Sequence, residues 1–186
     1  MSILIRNGRI ITATDDYVAD ILVEGETVKA IGNNLPGNAD KEIEAAGKLV
    51  FPGGIDPHVH LDMPFMGTFS SDNYETGTRA ALFGGTTMVI DFILQKQGHS
   101  LRSALEEWQG RSHGNCVGDY SFHMAVTDFN EGTRIEVQEM IEKEGITSFK
   151  TFMAYKGALM IDDRQMVDLM QEVKKHGGLI NVHATN

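Results

Sequence analysis

The stretch "FPGGIDPHVHLDMPF", residues 51–65, combines an apolar strand pattern with polar side chains at alternate positions. Side chains alternate in direction along a strand, so Asp56, His58 and His60 face one side if the strand continues through them. His58 and His60 can then share one metal ion. In isolation, two histidines at this spacing more often cap a strand with satisfied hydrogen bonds, so the rest of the chain must decide between the two interpretations.

Beyond this stretch the chain alternates short apolar runs with amphipathic segments. Parallel strands that are buried on both faces produce such continuous apolar runs. The predicted strands occupy residues 86–94, 120–129, 147–155 and 178–185, and the predicted helices occupy residues 74–83, 100–112, 133–144 and 162–176. With the stretch at residues 51–65, the pattern predicts an α/β fold with a parallel sheet, either open or part of a barrel. Five strands cannot close a (β/α)₈ barrel, which needs roughly 250 residues.

The first fifty residues are predicted to form a separate, small β unit. Short alternating apolar runs are separated by Asn7-Gly8 and by Glu24-Gly25-Glu26, which are typical hairpin signals. Pro and Gly residues then mark a junction before residue 51. We therefore expect two domains, at residues 1–50 and 51–186.

Composition excludes several classes of partner. The formal net charge is −10, and no local cluster of Lys and Arg overrules it, so we expect no nucleic-acid partner. The single cysteine, Cys116, gives no support for an oxidising compartment. The N-terminal apolar run is too short for a signal peptide or a membrane span, so we expect no membrane association and a cytoplasmic location.

Lys150 lies inside the apolar run "TSFKTFMAY", without a carboxylate neighbour in the sequence. Burial of an unpaired ammonium lowers the lysine pKa toward the neutral amine. A neutral amine can react with carbon dioxide, and the resulting carbamate can bridge two divalent ions about 3.5 to 4 Å apart. Alternatively, Lys150 extends from the strand end to water. The residue by itself leaves both interpretations open.

His183 lies near the end of the last predicted strand. A single histidine there is weak evidence for a site. Together with His58, His60 and Lys150, however, it gives polar groups at the ends of three different strands, and barrel active sites are assembled in this way.

Three motifs carry a family resemblance: "FPGGIDPHVHLDMPF", "SFKTFMAYKG" and "NVHA". In this order they resemble the cyclic amidohydrolases, most closely the dihydropyrimidinase and D-hydantoinase group, and the resemblance covers essentially the whole chain. It implies a distorted (β/α)₈ TIM-like barrel, of which this chain holds about five of eight units, preceded by a β-sandwich portion. It also implies a binuclear zinc site at the barrel mouth.

The resemblance assigns roles to individual residues. His58 and His60 would bind the first zinc, Lys150 as N6-carboxylysine would bridge the two ions, and His183 would bind the second. Tyr155 would polarise the substrate carbonyl and stabilise the oxyanion. The family's remaining ligands, a histidine and an aspartate, belong to later barrel strands that the sequence does not contain.

The reaction implied by the resemblance is hydrolysis of a cyclic amide by a hydroxide that bridges two metals. A dihydropyrimidine or a 5-substituted hydantoin would be opened to an N-carbamoyl amino acid. Family members commonly assemble as tetramers, so a homo-oligomer is expected.

Several residues near the motifs concern substrate choice. Two groups of apolar residues resemble the hydrophobic substrate gate of the family: the loop Met63, Pro64, Phe65 and Met66, and the strand-end residues Phe152 and Leu159. Ordinary loop packing explains these residues nearly as well. Asp62 occupies the region where dihydroorotases usually have an arginine, so we expect it to repel a substrate carboxylate. Asp56 is expected to orient the two histidines without binding metal.

Two departures from the family keep alternatives open. Thr185 replaces the usual glutamate, and the chain lacks most of the second half of the barrel, so we expect the 186 residues alone to be inactive. A non-catalytic scaffold, like the collapsin response mediator proteins, is one alternative. An allantoinase or dihydroorotase type of cyclic amidase is another. His123, inside a predicted strand, is interpreted as a satisfied core histidine.

Overall fold

The computed structural model describes residues 1–65 and 67–185. The chain divides into two compact units, Met1–Gly53 and Gly54–Asn186. We call them the β unit and the barrel unit. Within the described residues, no helix is long and apolar enough to cross a lipid bilayer.

The β unit contains one five-stranded sheet. Its strands are β1 (Ser2–Ile11), β2 (Asp16–Glu24), β3 (Thr27–Gly32), β4 (Lys41–Glu44) and β5 (Leu49–Val50). The strand order is β3-β2-β1-β4, and β5 also pairs with β1. β2 is antiparallel to β1 and β3, whereas β4 and β5 run parallel to β1. A small core around Ile10, Ala19 and Ile21 covers one face.

Of the two hairpin turns predicted in the β unit, the structure contains one. Gly25, with φ of 61°, lies in the tight turn between β2 and β3, as predicted. Asn7-Gly8 was expected to separate two strands, and this prediction is wrong. Asn7 has φ of 57° but lies inside β1, where the pairing with β2 shifts register between Ile5 and Gly8. An asparagine tolerates the left-handed conformation that this β-bulge requires.

The barrel unit alternates strands and helices. Its elements are β6 (Gly54–Val59), β7 (Pro64–Phe65), β8 (Thr68–Phe69), α1 (Tyr74–Phe83), β9 (Thr86–Leu94), α2 (Leu101–Ser112), β10 (Asp119–Ala125), α3 (Glu131–Glu142), β11 (Ser148–Phe152), α4 (Asp163–Lys175) and β12 (Leu179–His183). Five strands form a parallel sheet in the order β6-β9-β10-β11-β12, and β7 and β8 form a separate antiparallel hairpin. The predicted α/β class with a partial barrel is confirmed.

Side-chain capping explains where the helices begin. Asn73, Ser100, Asn130 and Asp162 each precede a helix and accept a hydrogen bond from a backbone N–H of its first turn. Trp108, Val137 and Leu169 then face the sheet and are almost fully buried. Burying such side chains stabilises the fold by roughly 1.5 to 3 kcal/mol each.

Two predicted strands end earlier than their apolar runs suggest. β10 ends at Ala125 because the buried side chain of Gln95 binds the next segment, accepting hydrogen bonds from the N–H groups of Thr127 (3.0 Å) and Asp128 (3.1 Å). β11 ends at Phe152, and the chain turns sharply at Tyr155, whose φ is 64°. In β11 itself, Phe149 and Thr151 are buried, whereas Lys150 lies on the other, half-buried face.

Candidate active site

His58 and His60 lie together at the C-terminal end of β6. Their ring centroids are 5.2 Å apart, at 86° to each other. The ring of Phe92, from the neighbouring strand β9, lies 4.6 Å from the His58 ring and 5.1 Å from the His60 ring. The register of β6 against β9 shifts between Asp56 and Val59, so the chain bulges where the first histidine lies. The histidines are adjacent, as their spacing predicts.

Lys150 extends from the middle of β11 toward the same region. Its Nζ atom lies 5.6 Å from the Phe92 ring centroid and 5.5 Å from that of Phe152. No hydrogen bond or salt bridge to this ammonium is found within residues 1–65 and 67–185. Burial lowers the pKa of Lys150 because the charged form loses water. The lysine is therefore held between aromatic rings without a counter-charge from the described chain.

The basic groups that surround His60 affect its pKa. Partial burial lowers the pKa of His60, and the positive charges of His58 and Lys150 lower it further. A lower pKa favours the neutral imidazole, whose free ring nitrogen can bind a metal ion.

His183 and Tyr155 form the opposite side of the site. His183 is the last residue of β12, and its ring centroid lies 5.8 Å from that of Phe152 and 5.5 Å from that of Tyr155. Tyr155 has a left-handed backbone, and its carbonyl accepts hydrogen bonds from the N–H groups of Ala158 and Leu159, both at 3.0 Å. A strained non-glycine residue that is held by a tight turn is a common feature of functional sites.

These groups line one cavity of about 300 Å³. Its wall contains the predicted metal-binding residues, the predicted catalytic tyrosine, the predicted gate and three residues that were not predicted. These are, in that order, His58, His60, Lys150 and His183; Tyr155; Met63, Phe65, Phe152 and Leu159; and Phe92, Leu94 and Ala125. A volume near 300 Å³ lies at the lower end of the range for small-molecule sites. Met66, the other residue of the predicted gate loop, lies outside the described residues. In the part of the chain that the structure describes, no carboxylate lines this cavity.

The donors do not form one compact cluster. Within the described residues, no group of three or more His, Cys, Asp or Glu side chains is arranged to hold a single ion. The histidine pair lies at the end of β6, whereas His183 lies beside Tyr155 at the end of β12. The histidines that line this cavity thus lie in two groups, one at the end of β6 and one at the end of β12.

Two acidic residues near the site have positions that the sequence did not decide. The Asp56 carboxylate accepts a hydrogen bond from the backbone N–H of His58 at 3.1 Å, so it contacts the backbone of that histidine. Asp62 was expected to repel a substrate carboxylate. Its carboxylate lies 3.7 Å from Nη1 of Arg111 in a separate polar cleft, and it does not line the cavity. Asp62 is therefore not part of the cavity wall, and the expected repulsion stays a prediction.

His123 is buried, as predicted, and both of its ring nitrogens have partners. Nδ1 pairs with the Ser148 hydroxyl, and Nε2 lies 2.9 Å from the Pro57 carbonyl oxygen.

Asp91 is a residue that the pattern of the sequence did not single out. It is fully buried in β9 and accepts hydrogen bonds from the Tyr74 hydroxyl (2.7 Å) and from the N–H groups of Leu61 (3.3 Å) and Phe92 (2.7 Å). Burial raises the pKa of Asp91 to about 6, against the lowering effect of these bonds. The available signal was a lone acid inside the apolar run "TTMVIDFIL", the same signal that pointed to Lys150.

Comparisons with a family model and with individual proteins agree on one family. Residues 49–186 match the model of the amidohydrolase family. A D-hydantoinase of Streptomyces coelicolor is 48% identical over 98% of this chain and 40% of its own length. A dihydropyrimidinase of Rattus norvegicus is 43% identical over 99% of this chain and 36% of its own length.

Solved structures agree with the sequence comparison. The crystal structure of a dihydropyrimidinase from Brevibacillus agri superposes with a TM-score of 0.97 at 49% identity, covering 100% of this chain and 40% of that one. The chain thus spans about 40% of the length of the proteins that it resembles.

Proposed function

Because this chain belongs to the amidohydrolase family, we propose that it supplies the first half of a metal-dependent active site that hydrolyses a cyclic amide. The proposed substrate is a dihydropyrimidine or a 5-substituted hydantoin, which would be opened to an N-carbamoyl amino acid. One observation carries the proposal: His58, His60, Lys150, Tyr155 and His183 converge on one cavity, without a carboxylate from the described chain. All of them except Lys150, which extends from the middle of β11, lie at or just after the end of a strand, where (β/α)₈ barrels place their active sites.

The side chains present fit a binuclear zinc centre. Imidazole nitrogens are favoured zinc ligands, but three histidines supply no negative charge to offset two divalent ions. Lys150, between the two groups of donors, has a lowered pKa and no anionic partner among the described residues. A carbamate there would supply the missing anion. His58 and His60 would hold one zinc, His183 would hold the other, and the carbamate of Lys150 would supply the anion for both.

Formation of the carbamate needs the lysine, carbon dioxide and water as the proton acceptor. The neutral Nζ attacks the carbon of CO₂, an N–C bond forms while one C=O π bond opens onto oxygen, and the nitrogen passes one proton to water. The product is an anion with two oxygens in place of a cation. Burial between the rings of Phe92 and Phe152 favours the first step, because it disfavours the charged ammonium that cannot attack.

Bound zinc would supply Lewis acidity, which polarises an amide carbonyl and makes hydroxide available near neutral pH. The chain's own residues orient the substrate. The Tyr155 hydroxyl would donate a hydrogen bond to the carbonyl oxygen, and this bond would strengthen as negative charge develops there. The strained backbone of Tyr155, held by the turn to Leu159, would keep that hydroxyl in place before the substrate binds.

The apolar wall of the cavity suits an uncharged ring with an apolar substituent. Met63, Phe65, Phe152 and Leu159 line it from two different segments of the chain. Burying a substituent against them would contribute roughly 25 cal/mol for each Å² removed from water. Because Asp62 lies elsewhere, this apolar wall alone supports a preference for uncharged rings over dihydroorotate.

The experiment is a zinc and activity analysis of the longest natural polypeptide that contains this sequence. We expect about two zinc ions per subunit and turnover of dihydrouracil or a 5-substituted hydantoin. Lys150→Ala should lose bound zinc and activity, because the bridging anion is absent. Lys156→Ala is the matched control, since Lys156 lies on the exposed turn after β11. The 186 residues alone should show no turnover.

The outcomes separate the alternatives. Full zinc content in Lys150→Ala would refute the bridging role. Absence of both zinc and turnover from the unmodified polypeptide would favour a non-catalytic scaffold. Faster turnover of allantoin or dihydroorotate would retain the chemistry but reject the proposed substrates.

A further inference from the structure

Arg111, in the last turn of α2, connects that helix to the segment after His60. Its Nη1 donates a hydrogen bond of 2.6 Å to the backbone carbonyl of Asp62, and its Nη2 donates one of 2.7 Å to Glu107. The guanidinium carbon lies 5.1 Å from the ring centroid of Trp108 and 5.9 Å from that of Phe69. Arginine is suited to such a position because its planar group can donate along its edge and stack on its face.

The segment that Arg111 holds is a closed hairpin, residues 62–72 without Met66, which we call the wall hairpin. Its base is tied by a hydrogen bond of 2.8 Å from the Asp62 N–H to the Asp72 carbonyl. Further along, the Ser70 N–H donates to the Met63 carbonyl at 3.0 Å, and the Met63 N–H donates to the Ser70 hydroxyl at 2.9 Å. Each contact lies on the hairpin itself, so none of them decides where the hairpin lies on the barrel unit.

Arg111 contacts the wall hairpin at two points, one before β7 and one in β8. One is the carbonyl of Asp62, where the backbone is left-handed with φ of 48°, and the other is the ring of Phe69 at the end of β8. Between these points lie Met63 and Phe65, whose side chains line the cavity. Arg111 lines the separate polar cleft and is not among the described residues that line the cavity, so any effect that it has on the cavity must pass through the hairpin.

We propose that Arg111 is a positioning residue that holds the wall hairpin against the barrel unit and so sets the fit of the cavity for ring substituents. This inference rests on the proposed function for its substrate class. Removal of Arg111 leaves Glu107 paired with Lys96 at 2.8 Å, so that carboxylate keeps a partner. A substitution of Arg111 therefore acts mainly on the wall hairpin, besides removing the stacking on Trp108.

The test compares Arg111→Met, Arg111→Lys and Arg79→Met in the longest natural polypeptide that contains the sequence. Methionine keeps a long apolar side chain without the donors, and lysine keeps the charge without the planar fork. Arg79→Met is the matched control, because Arg79 lies exposed on α1 and, among the described residues, forms an ion pair only with Glu75, at 2.9 Å. Hydrogen exchange of the Met63 and Ser70 amides reports the hairpin, and exchange in α2 reports the helix.

We expect Arg111→Met to speed exchange of the hairpin amides about tenfold, while exchange in the middle of α2 stays unchanged. The ratio of kcat/KM for a hydantoin with an apolar 5-substituent to that for dihydrouracil should fall about tenfold, mainly through KM for the substituted ring. Arg111→Lys should lie between Arg111→Met and the unmodified protein. A role in folding alone would lower Tm without changing this ratio.

Unchanged exchange of the hairpin amides in Arg111→Met would overturn the holding role. Faster exchange with an unchanged ratio would overturn the role in specificity. If the unmodified protein opened neither ring, the proposed function would be wrong, and the exchange data would still decide whether Arg111 holds the hairpin.

Discussion

Replacing Asp91 by asparagine should change how the stability of the barrel unit depends on pH. Asp91 is 0% exposed, and burial raises its pKa from an ordinary 3.8 to about 6. A raised pKa means that the folded state favours the protonated acid. The contribution of Asp91 to stability is therefore fully present below about pH 4 and is lost as the pH rises through about 6.

The size of the effect follows from this shift. Each pKa unit corresponds to about 1.4 kcal/mol, so the whole change is roughly 3 kcal/mol. Between about pH 4.5 and about pH 7.5, which are convenient experimentally, the linkage relation gives roughly 2 kcal/mol. Asparagine does not ionise in this range. Its single amide oxygen can accept a hydrogen bond from the Phe92 N–H, or from the Tyr74 hydroxyl and the Leu61 N–H, but its NH₂ group cannot accept from the other side. The donors left without an acceptor cost about 1 to 3 kcal/mol of stability at every pH.

The assay is urea unfolding of the unmodified protein and of Asp91→Asn at both pH values. Trp108 is the only tryptophan and is 1% exposed, so its fluorescence reports on the barrel unit. Other titrating groups are common to both proteins, so they cancel in the difference between the two free energies of unfolding. The unmodified protein should lose about 2 kcal/mol relative to the variant on going to the higher pH.

A difference that stays constant within about 0.5 kcal/mol would refute the reasoning, because it would mean that Asp91 has the same pKa in the folded and unfolded chains. A difference that grows in favour of the unmodified protein at higher pH would also refute it, since Asp91 would then be stabilised as a carboxylate.

Two further substitutions, one of them with a control variant, test the site and the packing. Tyr155→Phe removes only a hydroxyl, and kcat should fall by about 10²-fold or more because the oxyanion loses a donor. The melting temperature should stay unchanged, because the side chain is 46% exposed. An unaltered kcat would contradict the oxyanion role. Leu169→Ala should lower the free energy of unfolding by about 2 to 5 kcal/mol, because Leu169 is 0% exposed. Val167→Ala, on the exposed side of α4, should change it by less than about 0.5 kcal/mol, and equal effects in urea unfolding would contradict the orientation of α4.

Periodicity predicted the elements of the barrel unit because it reflects which faces are buried. The run at residues 86–94 coincides with β9, and the predicted helix at residues 74–83 coincides with α1. The ends of β10 and β11 were harder to predict. The side chain of Gln95 ends one of them by binding backbone groups more than thirty positions away. No local pattern encodes such a partner.

The sequence by itself determined the strand pattern, the adjacent histidines and the lysine inside an apolar run, because each depends on residues close together in the chain. The tertiary structure decided which charges meet. It placed Lys150 between aromatic rings without a carboxylate from the described chain, paired Asp62 with Arg111, and buried Asp91 against Tyr74. These contacts join residues that are far apart in sequence, and electrostatic effects depend on distance in space and on burial. The surroundings of each charged group therefore followed from the fold.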